Sequence, residues 1–227
     1  MHALIIFIAL YAQLNFPLFS QDDLRGGVCV ELEPVYAQFL GAPYPLDSTS
    51  AKLWAMEDAV FAFSGMIYGW SFIYEPGERA RGLQEDLELT ALGKVMPEDT
   101  KLEITDVNIK DGLFYLYADY PLDEAQKNRV VRWKSASAFT AQAIGYGPLH
   151  GDEGIVSREQ IKESALRDAM KKALRKKLRV TERSRPRAAT GFIALSKFPV
   201  YRMQDGLWAA SAEFRIEITD IIPFAAY

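Results

Sequence analysis

The sequence is poor in the residues that build metal centres and nucleophilic active sites. It has one cysteine, Cys29, and two histidines, His2 and His150, among 227 residues. A single cysteine excludes an internal disulfide, and no cysteines or histidines have the spacing of a zinc site. The sequence therefore predicts no metal, no cofactor and a protein that is not an enzyme.

Long uncharged stretches are confined to the N-terminus. Residues 3–19 carry no charge, and their first ten residues resemble the apolar core of a signal peptide, although no Lys or Arg precedes them. About 17 uncharged residues is short for a membrane span. We expect cleavage after Ser20 and export to the periplasm or to the periplasmic face of an outer membrane. An uncleaved anchor and a buried N-terminal helix are the alternatives.

Cys29 is the only thiol of the chain. Charged residues separate it from the apolar run, and Val28 rather than a small residue precedes it. Both features are atypical of an acylated lipoprotein cysteine. We interpret Cys29 as a small buried hydrophobic residue.

The rest of the chain alternates helical and strand patterns. Asp123 with Gln126 and Ser157 with Gln160 have the spacing of capping boxes. Asp111-Gly112, between two alternating segments, is typical of a type I′ hairpin. The order of elements predicts an α+β fold in which amphipathic helices pack on antiparallel sheets. The predicted helices cover about 50–63, 123–135 and 157–178, and the strands about 66–74, 87–95, 102–109, 113–120, 139–146, 191–199 and 207–218.

An internal repeat is visible. The segment that begins Asp111-Gly112-Leu113-Phe114 aligns without a gap to the one that begins Asp205-Gly206-Leu207-Trp208. Residues 55–60 and 165–170, in two predicted helices, are also alike. The alternative is chance recurrence of a common turn. The repeat predicts two related helix-plus-hairpin units after a signal peptide, with the boundaries 1–20, 21–135 and 136–227.

Positive charge is concentrated in one segment. Residues 158–187 contain 12 Lys or Arg and four Asp or Glu, whereas the whole chain has a net charge of −4. A solvated helix face is one interpretation, and contact with a protein or an anionic membrane surface is the other. No aromatic residue lies in the segment, so we expect no nucleic acid. The candidate contact residues are Lys171, Lys172, Arg175, Lys176 and Arg179.

Aromatic residues recur at every second position in one predicted strand. Tyr68, Trp70, Phe72 and Tyr74 would share one face of that strand. A core face covered by a helix is one interpretation. An exposed strip that contacts a partner or an apolar ligand is the other.

Two further patterns suggest sites without defining one. Gly145-Tyr146-Gly147 precedes a helix but lacks the third glycine of a dinucleotide site, so we expect a turn with positive φ there. Adjacent carboxylates occur at several points, but neighbours in sequence do not establish the dry pocket that acid–base catalysis requires. These carboxylates are Glu31/Glu33, Glu57/Asp58, Glu85/Asp86 and Asp152/Glu153.

Residues 139–218 carry a resemblance to a known family. The segment reads as Ala141-Gln142-Ala143-Ile144-Gly145-Tyr146-Gly147-Pro148, then an alanine-rich helix over residues 164–174, then a strand pair with Asp205-Gly206. It resembles the exported domain shared by the N-terminal part of FlgT, by FlgP and by related outer-membrane lipoproteins. The resemblance implies a non-catalytic envelope module of a flagellar or other ring-like assembly.

We therefore expect a structural or interaction protein of the cell envelope, which binds a protein partner or itself. One alternative is a periplasmic module that binds a small apolar or anionic ligand in a pocket lined by the strand from Tyr68 to Tyr74. The other is a cytoplasmic polyanion-binding protein, which requires that residues 1–20 are retained.

Overall fold

The structure is a computed structural model. It describes residues 22–33, 45–78, 81–135, 137–148, 150–151, 154–155, 157–182 and 186–224. The predicted signal peptide, residues 1–20, lies outside these ranges. The described chain has three helices and strands that pair antiparallel, so the predicted α+β class is confirmed. No helix in this part of the chain has both the length and the apolar composition to cross a membrane.

The three helices and seven of the strands in the described chain overlap the predicted segments, whereas the strands at residues 23–31, 150–151, 154–155 and 200–204 lie outside the predicted strand ranges. In chain order the elements are β1 (Asp23–Glu31), α1 (Ser48–Ile67), β2 (Trp70–Glu75), β3 (Asp86–Ala91), β4 (Glu103–Lys110), β5 (Leu113–Pro121), α2 (Glu124–Trp133), β6 (Phe139–Gly147), β7 (His150–Gly151), β8 (Gly154–Ile155), α3 (Arg158–Thr181), β9 (Ala188–Leu195), β10 (Val200–Gln204) and β11 (Leu207–Ile222).

The smaller main sheet has three strands in the order β1-β5-β4. Asp111 and Gly112 join β4 to β5 with φ values of 52° and 74°, which confirms the predicted type I′ turn. Helix α1 packs on one face of this sheet, where Phe63, Leu116 and Tyr120 belong to one buried cluster.

The larger sheet has six strands. Strands β3, β2, β9, β11 and β6 lie side by side in this order. One edge of β11 pairs with β6, and the other edge pairs first with β10 and then with β9. The turn between β10 and β11 is Asp205-Gly206, and its φ values of 52° and 74° equal those of the first hairpin. Helix α3 packs on β6 and β11.

The two hairpins occupy similar places in the topology. In each case a strand and a long helix precede an Asp-Gly hairpin, whose second arm pairs back with that strand. The division into two related units, with a boundary at residue 135, stays a prediction. Strands β2 and β3 precede that boundary, yet β2 pairs with β9 beyond it. The larger sheet therefore contains strands from both sides of the boundary.

Two of the three helices begin where their caps predict. Asp123 and Gln126 form one capping box, and Ser157 and Gln160 form the other. Helix α1 begins two residues before its predicted start, because the Asp47 side chain accepts hydrogen bonds from the amides of Thr49 and Ser50, each at 2.8 Å. It also continues to Ile67, four residues beyond its predicted end.

Helix α3 lies close to β6 because both surfaces carry small residues. Ala165, Ala169 and Ala173 are fully buried. A Cβ atom at Gly145 would collide with the backbone oxygen of Ala165 and the backbone nitrogen of Ala169. The predicted positive φ at Gly145-Tyr146-Gly147 is wrong, since the residues lie within β6 and have ordinary φ values. Close approach of the helix, not a turn, requires glycine here.

Candidate interaction surface

Three of the five predicted basic contact residues already have acceptors within the chain. Lys172 donates to Asp168 at 2.8 Å and to the backbone oxygen of Ile144 at 3.0 Å. Lys171 and Arg175 both donate to Glu85. Lys176 and Arg179 are exposed. A contact surface made of all five cations would require these internal bonds to break, so only the last two are freely presented.

Glu85 ties the connection between β2 and β3 to helix α3. Its carboxylate accepts hydrogen bonds from both arms of the Arg175 guanidinium and, at 2.5 Å, from the Tyr74 hydroxyl. Burial raises the pKa of Glu85, but the bonds from Arg175 and Tyr74 outweigh it, so the net shift is downward. Arg175 therefore holds an inserted hairpin in place.

The aromatic residues at every second position do not form a common surface. Tyr68 ends helix α1 rather than lying in β2, and Trp70 is half-buried. Phe72 and Tyr74 are 2% and 0% exposed and pack in the cluster that contains α3. The core-face interpretation is confirmed for Phe72 and Tyr74. Phe72 and Tyr74 therefore do not belong to an exposed strip. Ligand binding beside this strand stays a prediction.

A buried ion cluster joins helix α1 to helix α3. Asp58 of α1 accepts hydrogen bonds from Arg158 and, at 2.5 Å, from Lys162, both of which lie in the first turns of α3. The side chains of Asp58, Arg158 and Lys162 are 11%, 6% and 9% exposed. Glu57, which is 42% exposed, lies 3.7 Å from the Arg158 guanidinium, so Asp58 is the buried carboxylate that the two cations share.

Aromatic rings complete the surroundings of this cluster. The Arg158 guanidinium lies 4.7 Å from the centre of the Trp54 ring, and the Lys162 ammonium lies 4.7 Å from the centre of the Tyr201 ring. The Tyr201 hydroxyl is buried and has no hydrogen-bond partner among the described residues. Sequence reasoning missed this cluster because it considered Glu57/Asp58 only as neighbours in sequence, which do not establish a dry pocket. The signal was Asp58 itself, which shares a helix face with Ala51, Ala55 and Ala62.

The Lys162 ammonium is expected to make stability depend on pH. Burial is the largest influence and outweighs the attraction of Asp58, lowering the pKa of Lys162 from 10.5 to about 8. The unfolded chain therefore binds this proton at pH values where the folded protein has lost it. Stability must rise with pH in that window, and between pH 8 and 10.5 we expect a gain of about 2–3 kcal/mol from this group.

Urea unfolding of Lys162→Met and of the wild type across this window measures that gain. The difference between their free energies of unfolding should change with pH, with the wild type improving as pH rises. Lys176→Met, at an exposed lysine of the same helix, should follow the wild type. A Lys162→Met curve parallel to the wild type would show that Lys162 keeps its proton throughout.

Cys29 lies on β1 and is exposed, so the prediction that it is buried is wrong. It points to the face of the small sheet opposite helix α1, as its alternation with buried Val30 requires. Partial desolvation raises the pKa of the Cys29 thiol. The thiol is therefore protonated at neutral pH, which disfavours nucleophilic chemistry.

Strand β4 exposes apolar residues at the edge of the small sheet. Among the described residues it pairs only with β5. Val107 and Ile109, four and two residues before the Asp-Gly turn, are 44% and 52% exposed. Their counterparts before the second Asp-Gly turn, Tyr201 and Met203, pack against a buried cluster of α3 and β11. The first hairpin thus exposes apolar side chains, whereas the equivalent side chains of the second hairpin are covered by α3 and β11.

Comparison with known proteins identifies relatives but no solved homologue. An uncharacterised protein of Treponema pallidum (strain Nichols) is 25% identical over 173 residues, which cover 75% of this chain and 69% of the relative. No solved structure matches the chain. A family model matches residues 23–224, from the first residue of β1 to just beyond β11. Because this match spans most of its length, the chain belongs to that family.

Proposed function

We propose that this protein is a non-enzymatic structural or interaction module of the cell envelope, which contacts its partner through the edge of strand β4. The observation that carries the proposal is the pair Val107 and Ile109, which remain half exposed on a strand whose outer edge pairs with no other strand of the described chain. Exposed apolar edge strands are places where another chain adds a strand.

The envelope and flagellar part of the proposal rests on the sequence. Residues 3–19 have the apolar character of a signal peptide. The order strand, helix and hairpin in the FlgT- and FlgP-like resemblance corresponds to β6, α3 and the strands β9 to β11. Export would place the β4 edge in the periplasm, where ring-like assemblies are built from many copies of small domains.

The test is site-specific photocrosslinking in native cells, combined with fractionation and intact-mass analysis. A photoreactive residue at Val107 is expected to give a crosslinked product in the envelope fraction, from protein that lacks about 20 N-terminal residues. The matched control is Leu53, which is apolar and 57% exposed on α1 and should give none.

Two results would count against the proposal. Equal crosslinking at Val107 and Leu53, or none at either, would show that the β4 edge is not a contact surface. Recovery of the protein in the cytosol with an intact N-terminus would remove the envelope assignment.

A further inference from the structure

The strands at the sheet edges differ in how far they permit pairing with another chain. On β6, the amide of Tyr146 donates to Asp168 at 2.9 Å, and Lys172 donates to the oxygen of Ile144 at 3.0 Å. Side chains of α3 therefore occupy backbone groups at this edge. Strand β3 carries Asp86 and Glu88 and no base. A second copy of β3 would meet acid with acid, which is unfavourable.

Strand β10 is also unsuited to pairing with itself. Its single charged residue is Arg202, at the centre of the strand. A two-fold antiparallel pairing centred there would place Arg202 opposite its own copy, and like charges directly opposite each other destabilise a sheet. Strand β10 and strand β4 precede equivalent turns, so they offer a direct comparison.

Strand β4, unlike β3 and β10, can pair with its own copy so that opposite charges face each other. In an antiparallel pairing about a two-fold axis at Asn108, residues at equal distances on either side of Asn108 oppose each other. Asp106 then lies opposite Lys110 of the second copy, and Val107 lies opposite Ile109. Each pair occurs twice by symmetry. Residues 105–110 are all exposed, so nothing in the described chain has to move.

The faces of the strand agree with this register. Val107 and Ile109 pair with Leu116 and Phe114, which point to the α1 side of the small sheet. Asp106 and Lys110 point to the other side. Directly opposed residues of an antiparallel pair must share a face, and both proposed pairs do. The bulge between Ile104 and Asp106 ends regular pairing at the far end.

We infer that the occupant of the β4 edge is a second copy of this chain, paired antiparallel about Asn108. The two small sheets then join into one continuous sheet with β4 and its copy at the centre. Two salt-bridged pairs and two apolar pairs set the register. This inference rests on the proposed function, since it names the partner of the same surface.

The test is sedimentation of the purified chain over concentrations up to the high micromolar range. We expect a reversible monomer–dimer equilibrium. Asp106→Lys and Lys110→Asp each place like charges opposite each other twice, and each should raise the dissociation constant at least about tenfold. The double variant Asp106→Lys/Lys110→Asp restores opposite charges and should recover the dimer. Arg202→Glu, on edge strand β10, still places like charges opposite each other in a self-pairing of β10 and should leave the dimer unchanged.

Disulfide trapping tests the register independently of affinity. In a Cys29→Ser background, Asn108→Cys brings two thiols face to face, and mild oxidation should give a covalent dimer. Lys110→Cys faces Asp106 in the same register and should give little. Circular dichroism of each variant verifies the fold, since all the altered residues except Cys29 lie at an exposed edge and Cys29 is itself exposed.

A wild-type chain that stays monomeric at every concentration would overturn the self-pairing, and so would a charge swap that fails to restore the dimer. If that monomer still gives a Val107 crosslink to a different envelope protein in cells, the proposed interaction function stands without self-pairing. If neither a dimer nor a crosslink is found, both proposals fall.

Discussion

Replacing Asp58 by alanine is expected to lower the free energy of unfolding by about 3–5 kcal/mol, because it leaves two buried cations without their shared carboxylate. The substitution leaves Arg158 and Lys162 buried side by side with their shared carboxylate removed. Water cannot replace that carboxylate, because the two cationic side chains are less than a tenth exposed. Urea denaturation monitored by tryptophan fluorescence measures the loss.

Asp168 supplies a matched control for Asp58. It occupies the corresponding place in the second of the two similar helical segments, residues 165–170 against 55–60. Its ion pair with Lys172 is about one-third exposed. Asp168 also accepts a hydrogen bond from the Tyr146 amide, so Asp168→Ala should cost about 1–2 kcal/mol, which is less than the loss expected for Asp58→Ala. A similar loss in both variants would mean that burial does not determine how much the Asp58 cluster contributes to the free energy of unfolding.

Gly145→Ala is expected to destabilise the protein by about 3 kcal/mol. The added methyl group would meet the backbone of α3 at Ala165 and Ala169, and backbone cannot rotate away as a side chain can. Helix α3 must shift along its whole contact with β6. Thermal and urea unfolding give the loss, and weaker protection of α3 amides from hydrogen exchange locates it.

Two further variants separate this clash from other effects of alanine in a strand. A methyl group at Gly27 would meet the ring of Tyr117 at 2.9 Å, and that ring is 46% exposed and free to turn. Gly27→Ala should change stability by less than about 1 kcal/mol. Adding Ala169→Gly to Gly145→Ala should not restore stability, because the clash is with backbone. Full rescue would show that the Ala169 side chain is the obstacle.

Local features of this fold could be predicted because they depend on neighbours in sequence. Asp111-Gly112 adopts its turn whatever lies beyond it, and the Ser157 cap begins α3 with the hydrogen bonds of its own first turn. Each of these depends on residues only a few positions apart.

The unpredicted features all depend on distant pairings. Nothing near Gly145 distinguishes a glycine needed for positive φ from one needed for a close helix. Asp58 and Glu85 appeared to be members of surface carboxylate pairs, yet their partners come from α3, far along the chain. The core interpretation of the aromatic residues was correct for Phe72 and Tyr74 but not for Tyr68, which ends helix α1. The sequence of β2 does not reveal which helix covers the strand.

The insertion of β2 and β3 also affects the order in which the chain can mature. Trp70 pairs with Ile193, so this hairpin is synthesised long before the strand that completes it. In a nascent chain, the backbone hydrogen-bonding groups on the β9 side of β2 have no strand partner until β9 has been synthesised. Pairing of strands so far apart in sequence is slow. A passage through a membrane in the unfolded state would remove this delay, because both strands would then reach their folding compartment within a single crossing.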